Sequence, residues 1–159
     1  MKITAHLRWI RFRVLVALAG LAAFSLPASA SLGGNAASVE ADRAHMNGST
    51  SVISNDNYNV HQIRALEGTV VDEYVSSAGT VFAVAWHGHF LPDMQQILGS
   101  YFNQYSTALQ SQVRQYGRHP LNIRQPGLVV QTSGHMHEYF GRVYVPSLLP
   151  QGFNPDQIQ

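Results

Sequence analysis

Residues 80–86, TVFAVAW, constrain this chain more than any other stretch. Strand alternation sends Phe82, Val84 and Trp86 to one face and Val81, Ala83 and Ala85 to the other. Both sets are apolar. A strand greasy on both sides has to be covered on both sides, which places it in the middle of a sheet. Two strand-like segments precede it: residues 58–66 (YNVHQIRAL) and 69–76 (TVVDEYVS), rich in β-branched residues and tyrosine. The connections EGT and SAG are short and contain glycine, which favours antiparallel neighbours.

After the central strand comes a helical pattern. Pro92 fits the first helical position, where its missing N–H costs nothing, and Asp93 suits the positive end of the helix dipole. Met94, Ile97, Leu98, Tyr101, Phe102, Tyr105, Ala108, Leu109 and Val113 recur at spacings of three and four. Gly117 is the expected stop. Gly99 inside this run costs about 1 kcal/mol against alanine, which suggests close packing on the sheet. Residues 118–127 (RHPLNIRQPG) read as loop and 128–133 (LVVQTS) as a short strand. Residues 137–146 (HEYFGRVYVP) read as another strand, although 136–140 also fits helical spacing. The expected fold is α+β: an antiparallel sheet of about five strands with one long helix packed on a face.

The ends read differently. Residues 1–13 carry Lys2, Arg8, Arg11 and Arg13 and no acid. Residues 14–26 (VLVALAGLAAFSL) are uninterruptedly apolar, and Pro27-Ala28-Ser29-Ala30 offers small residues for cleavage. That order is the pattern of a secretory signal peptide cut after Ala30, and the run is short of the roughly 20 residues a membrane span needs. The expected product is periplasmic or secreted, with no stable membrane span after cleavage. Residues 31–57 are rich in Gly, Ser, Asn and Ala and read as an irregular, flexible arm that Leu32 and Val39 can dock. Residues 58–150 make the single domain, and 151–159 an irregular tail.

Cleavage reverses the charge. Of ten basic residues, the four in the leader include the only lysine. Six arginines then face nine acids, for a net charge of −3 instead of +1. A mildly acidic chain without lysine has no electrostatic footprint for nucleic acid. The absence of cysteine excludes a disulfide scaffold and thiol chemistry.

The chemistry-bearing residues are mainly histidines. His87-Gly88-His89 and His135-Met136-His137 each set two imidazoles on one side of an extended strand, a workable geometry for zinc or copper. His61 is a further candidate, and His119, Glu138 and Asp93 are available as additional ligands. The plainer reading puts the first pair at a strand end, where polar residues belong. Ser133-Gly134-His135 does not place a hydroxyl on a ring nitrogen, and no nucleophile elbow or phosphate loop is present. Asp72 and Glu73 alternate on their strand and do not form a paired-carboxylate site. The aromatic residues Tyr139, Phe140, Tyr144 and Phe153 are not all easily buried, and an exposed group among them suggests a partner surface.

With these segments in order (SLGG, YNVHQI, GTVVDEYV, GTVFAVAWHGHFLPDMQQILGSYF, LVVQTSGHMHEYFGRVYVPSLLP and NPDQI) the chain resembles the exported bacterial proteins grouped as domain of unknown function 2844. The resemblance implies a small exported protein of Gram-negative bacteria with no assigned activity, and it supplies no catalytic residues. His61 and His135 match family positions. His87, His89 and His137 depart from the family pattern, which weakens a metal centre built from the two pairs. The expected function is therefore a non-enzymatic accessory or binding module acting on an envelope or secreted protein, with no cofactor. The alternative is a histidine-based metal-binding protein or metalloenzyme.

Overall fold

The computed structural model describes residues 32–112 and 120–159. The leader with its cleavage point, the expected helix end at Val113 and Gly117, and His119 lie outside the described residues.

The central strand holds. β1 (Ser49–Ser54), β2 (Tyr58–Arg64), β3 (Val70–Ser76), β4 (Val81–Gly88), β5 (Leu121–Gln125), β6 (Leu128–His135) and β7 (Glu138–Tyr144) form one sheet in the order β1-β2-β3-β4-β7-β6-β5. Every pairing is antiparallel, and β4 stands in the middle, buried from Val81 to Trp86.

The sheet has seven strands rather than about five, and the two extra ones are its edges. β1 lies in the segment expected to be an irregular arm, and β5 in the segment expected to be loop. An edge strand has a neighbour on one side only and little to bury. All six residues of β1 are exposed, and in β5 only Ile123 is buried. Neither strand therefore shows the apolar alternation by which a strand is recognised.

The arm contains a helix as well, α1 (Ala36–His45), capped by the Asn35 side chain accepting from the Ala37 amide. Its buried residues are Ser38, Val39 and Asp42, so the face it presents to the sheet is small and polar, and its hydrophobic periodicity is faint. Leu32 and Val39 do dock, at 1% and 3% exposure. The Leu32 amide donates to the Ile97 carbonyl at 2.9 Å and the Gly33 amide to that of Val81 at 2.8 Å.

The main helical segment is interrupted. α2 (Met94–Leu98) begins two residues later than expected, because Asp93 is the N-cap and accepts from the amides of Gln95 and Gln96. At Gly99 the backbone takes φ 49° and ψ −118°, a conformation open to glycine and strained for side-chain-bearing residues. A single 3-10 turn follows (Gly99–Tyr101), and then α3 (Phe102–Ser111). Gly99 marks the point where the expected single helix is interrupted.

The two faces of β4 are also not as alternation predicts. The pairing with β3 slips between Tyr74 and Val75, so that Val81 partners Val75 while Ala83 partners Tyr74. Phe82 is the extra residue of a bulge, which turns it to the side of Ala83 and Ala85. One face, with Val81, Val84 and Trp86, packs under the helices together with Leu32, Ile63, Ile97, Leu98 and Val143. The opposite face, with Phe82, Ala83 and Ala85, is covered by the chain's last fourteen residues through Leu148, Leu149, Phe153 and Ile158. The tail from 151 to 159 is therefore a packed layer with a 3-10 turn at Pro155–Gln157. Arg142 ties it down, donating to the carbonyls of Pro155 at 2.9 Å and Ile158 at 3.2 Å.

Candidate functional site

Antiparallel order sends three connections to the same end of the sheet: the β2–β3 turn, the segment between β4 and α2, and the β6–β7 turn. The last two touch. Gly88 pairs with Tyr139, and the His89 ring Nδ1 lies 2.7 Å from the His137 carbonyl. His137 occupies the β6–β7 turn at φ 65°, in the left-handed region. His135 closes β6 opposite Glu138, with its Nδ1 3.9 Å from the carboxylate, and His87 stands opposite Phe140.

Four of the candidate histidines, His87, His89, His135 and His137, therefore gather at one end of the molecule. His61 does not join them. It sits in the body of β2 opposite Glu73, facing the helices, and burial holds its imidazole below the usual range. Among the described residues, no three histidines, aspartates or glutamates converge closely enough to hold a metal ion.

The four aromatic candidates divide. Tyr144 and Phe153 belong to the second core. Phe153 meets Phe82 edge-on at 4.9 Å and Tyr58 at 5.1 Å between ring centroids. Tyr139 and Phe140 remain 40% and 48% exposed at the histidine-rich end. They are not alone there. Leu66 in the β2–β3 turn, Phe90 and Leu91 after β4, and Met136 in the β6–β7 turn are each more than half exposed. Sequence reading missed Leu66, Phe90, Leu91 and Met136, because each lies in a short connection outside any strand or helix periodicity. The signal was that each of these three connections carries a large apolar residue, and that becomes visible only when strand order is known. The opposite end is polar where the β1–β2 turn (Asn55, Asp56, Asn57) meets Gln151 and Gly152.

Beside this end, on the tail-covered face, the tail stops short and leaves an open groove of about 400 Å³. His87, Asn122, Ser133, Phe140, Arg142 and Ile158 line it. On the same face of the sheet, opposite Ala85, Asp72 accepts from the Gln62 amide at 3.0 Å, and Gln62 in turn accepts from Arg64 at 2.9 Å. Burial raises the Asp72 carboxyl above its ordinary value; the Gln62 amide and the nearby His87 and Arg64 oppose that rise. Asp72 and Glu73 face opposite sides of the sheet, as alternation predicts.

The end thus combines exposed apolar and aromatic side chains, four imidazoles and a shallow groove. A family model described as a protein of unknown function (DUF2844) matches residues 28–158. No curated protein and no solved structure matches the chain.

Proposed function

The chain belongs to the DUF2844 family, and from that premise we propose that it is an exported, non-enzymatic accessory module that engages a protein or envelope component through the apolar end of its sheet. One observation carries the reading. Six of the nine large exposed apolar side chains among the described residues (Leu66, Phe90, Leu91, Met136, Tyr139 and Phe140) are on the connections at that end or on the β7 residues that open it. Large apolar residues scattered singly need no explanation, but their collection on one end is the mark of an interaction surface. Export is supported by the basic stretch, the apolar run 14–26 and the small residues before Ser31. The product is periplasmic or secreted. No helix among the described residues is long and apolar enough to cross a membrane.

The test places a photo-crosslinking residue at Phe140 or Met136, and at Asp56 on the opposite end, in cells producing the full chain. A discrete adduct is expected from the first two positions and none from Asp56. Equal labelling at all three, or none at any, would overturn the reading. Mass spectrometry of the recovered protein checks export: the expected amino terminus is Ser31, and an intact leader on cytoplasmic material would count against it.

A further inference from the structure

Glu73 is an acid in the wrong place. It lies on β3 between Val71 and Val75 on the side of the sheet covered by the helices, and is 1% exposed. Neither carboxyl oxygen receives a hydrogen bond from any donor among the described residues. Its polar neighbour is a second acid, Asp42 of α1, also 1% exposed. Asp42 accepts from the Gln96 side-chain amide at 2.5 Å.

Among the described residues no cation compensates the pair. From β2, His61 stands opposite Glu73, and burial lowers its pKa, which disfavours the charged ring. From β4 the facing residue is Val84, with Trp86 nearby on the same face, its indole N–H also buried without a partner. From α1, Arg43 is bound to Glu40, and His45, which favours the charge on Asp42, reaches the exposed Asp93 at 4.0 Å. From α2 comes only the Gln96 amide. Two carboxylates in an interior without a cation cannot both be ionised, because each would pay desolvation and repel the other. A single proton removes both costs, since a neutral Glu73 can donate to an ionised Asp42.

We propose that Asp42 and Glu73 hold one proton between them, and that this shared-proton pair is the latch fastening α1 to the sheet. Burial first, then the bond to Asp42 and its charge, push the Glu73 carboxyl up to about 9; burial likewise raises Asp42. The folded state therefore keeps a proton that the unfolded chain gives up from about pH 4.5. The pair's contribution to stability is full below that value. It falls as pH rises, and is lost through about pH 9. Mild acid tightens the contact between α1 and β3, and alkali loosens it.

Two measurements on the full chain test this. Infrared spectroscopy at pH 7 is expected to show the carbonyl band of a buried neutral carboxyl, absent in Glu73→Gln. Unfolding of the two proteins is then followed from pH 5.5 to 9. The unfolding equilibrium constant of the unsubstituted chain is expected to rise about tenfold per pH unit relative to Glu73→Gln, whose amide donates permanently to Asp42. Asp42→Asn removes the neighbouring charge, so the band should titrate away at lower pH than in the unsubstituted chain. Parallel stability curves, or a band unaffected by Glu73→Gln, would overturn the proposal. Should Glu73→Gln not fold, the band decides: one that does not shift between the unsubstituted chain and Asp42→Asn refutes the shared proton.

Discussion

Trp86 owes its place to Gly141. The two are partners across β4 and β7, and the indole lies flat over the glycine. A Cβ there would overlap the ring and stand 2.8 Å from the Gln131 carbonyl oxygen, which cannot yield because it belongs to the neighbouring strand. Gly141→Ala is therefore expected to destabilise the fold by about 1–3 kcal/mol through overpacking, read as a lower denaturant midpoint with the slope unchanged. A midpoint equal to that of the unsubstituted chain would show that the indole can move. Trp86 could be read in the sequence as a core residue, but the glycine beneath it could not, since the pairing of β4 with β7 joins residues 55 positions apart. The same holds for Asp42 and Glu73. Alternation correctly separated Glu73 from Asp72, and gave no hint that Glu73 would meet an acid from another element.

At the scale of the element, legibility followed burial. β3 and β4 bury nearly every residue and announced themselves by composition. β1, β5 and α1 bury little apolar surface and were hidden. Their formation depends on backbone hydrogen bonds to neighbours that already stand. The N-cap of α2 is a local feature with a local cost. Asp93 satisfies two amides that would otherwise lack partners, so Asp93→Ala is expected to cost about 1 kcal/mol. Asp93→Asn should recover most of the loss, which thermal unfolding of both variants would reveal. Failure of asparagine to rescue would assign the effect to the nearby His45 charge instead of the cap.

Viewed whole, the molecule is a sheet clad on one face by helices and on the other by its own tail. The bulge at Phe82 joins the two halves of this arrangement. By turning a large ring to the tail side, it gives Phe153 and the tyrosines Tyr58 and Tyr74 something to pack against. Phe153→Ala is expected to cost about 3 kcal/mol, from lost burial and lost edge-on aromatic contacts. Gln151→Ala, two residues away and exposed, should stay within about 0.5 kcal/mol. Equal effects from the two would mean that the tail contributes no specific packing.

The sequence alone determined that β4 must be central and covered on both sides, that its flanking segments pair antiparallel, and that a helical stretch follows it. Those conclusions rest on periodicity and turn chemistry, which are local. Tertiary structure decided which edges complete the sheet, which face Phe82 takes, what covers the second face, and which exposed residues share an end. It also decided that two acids from separate elements meet without a cation. Each of these depends on contacts between residues far apart in the chain, and a local pattern carries no record of what it will be packed against.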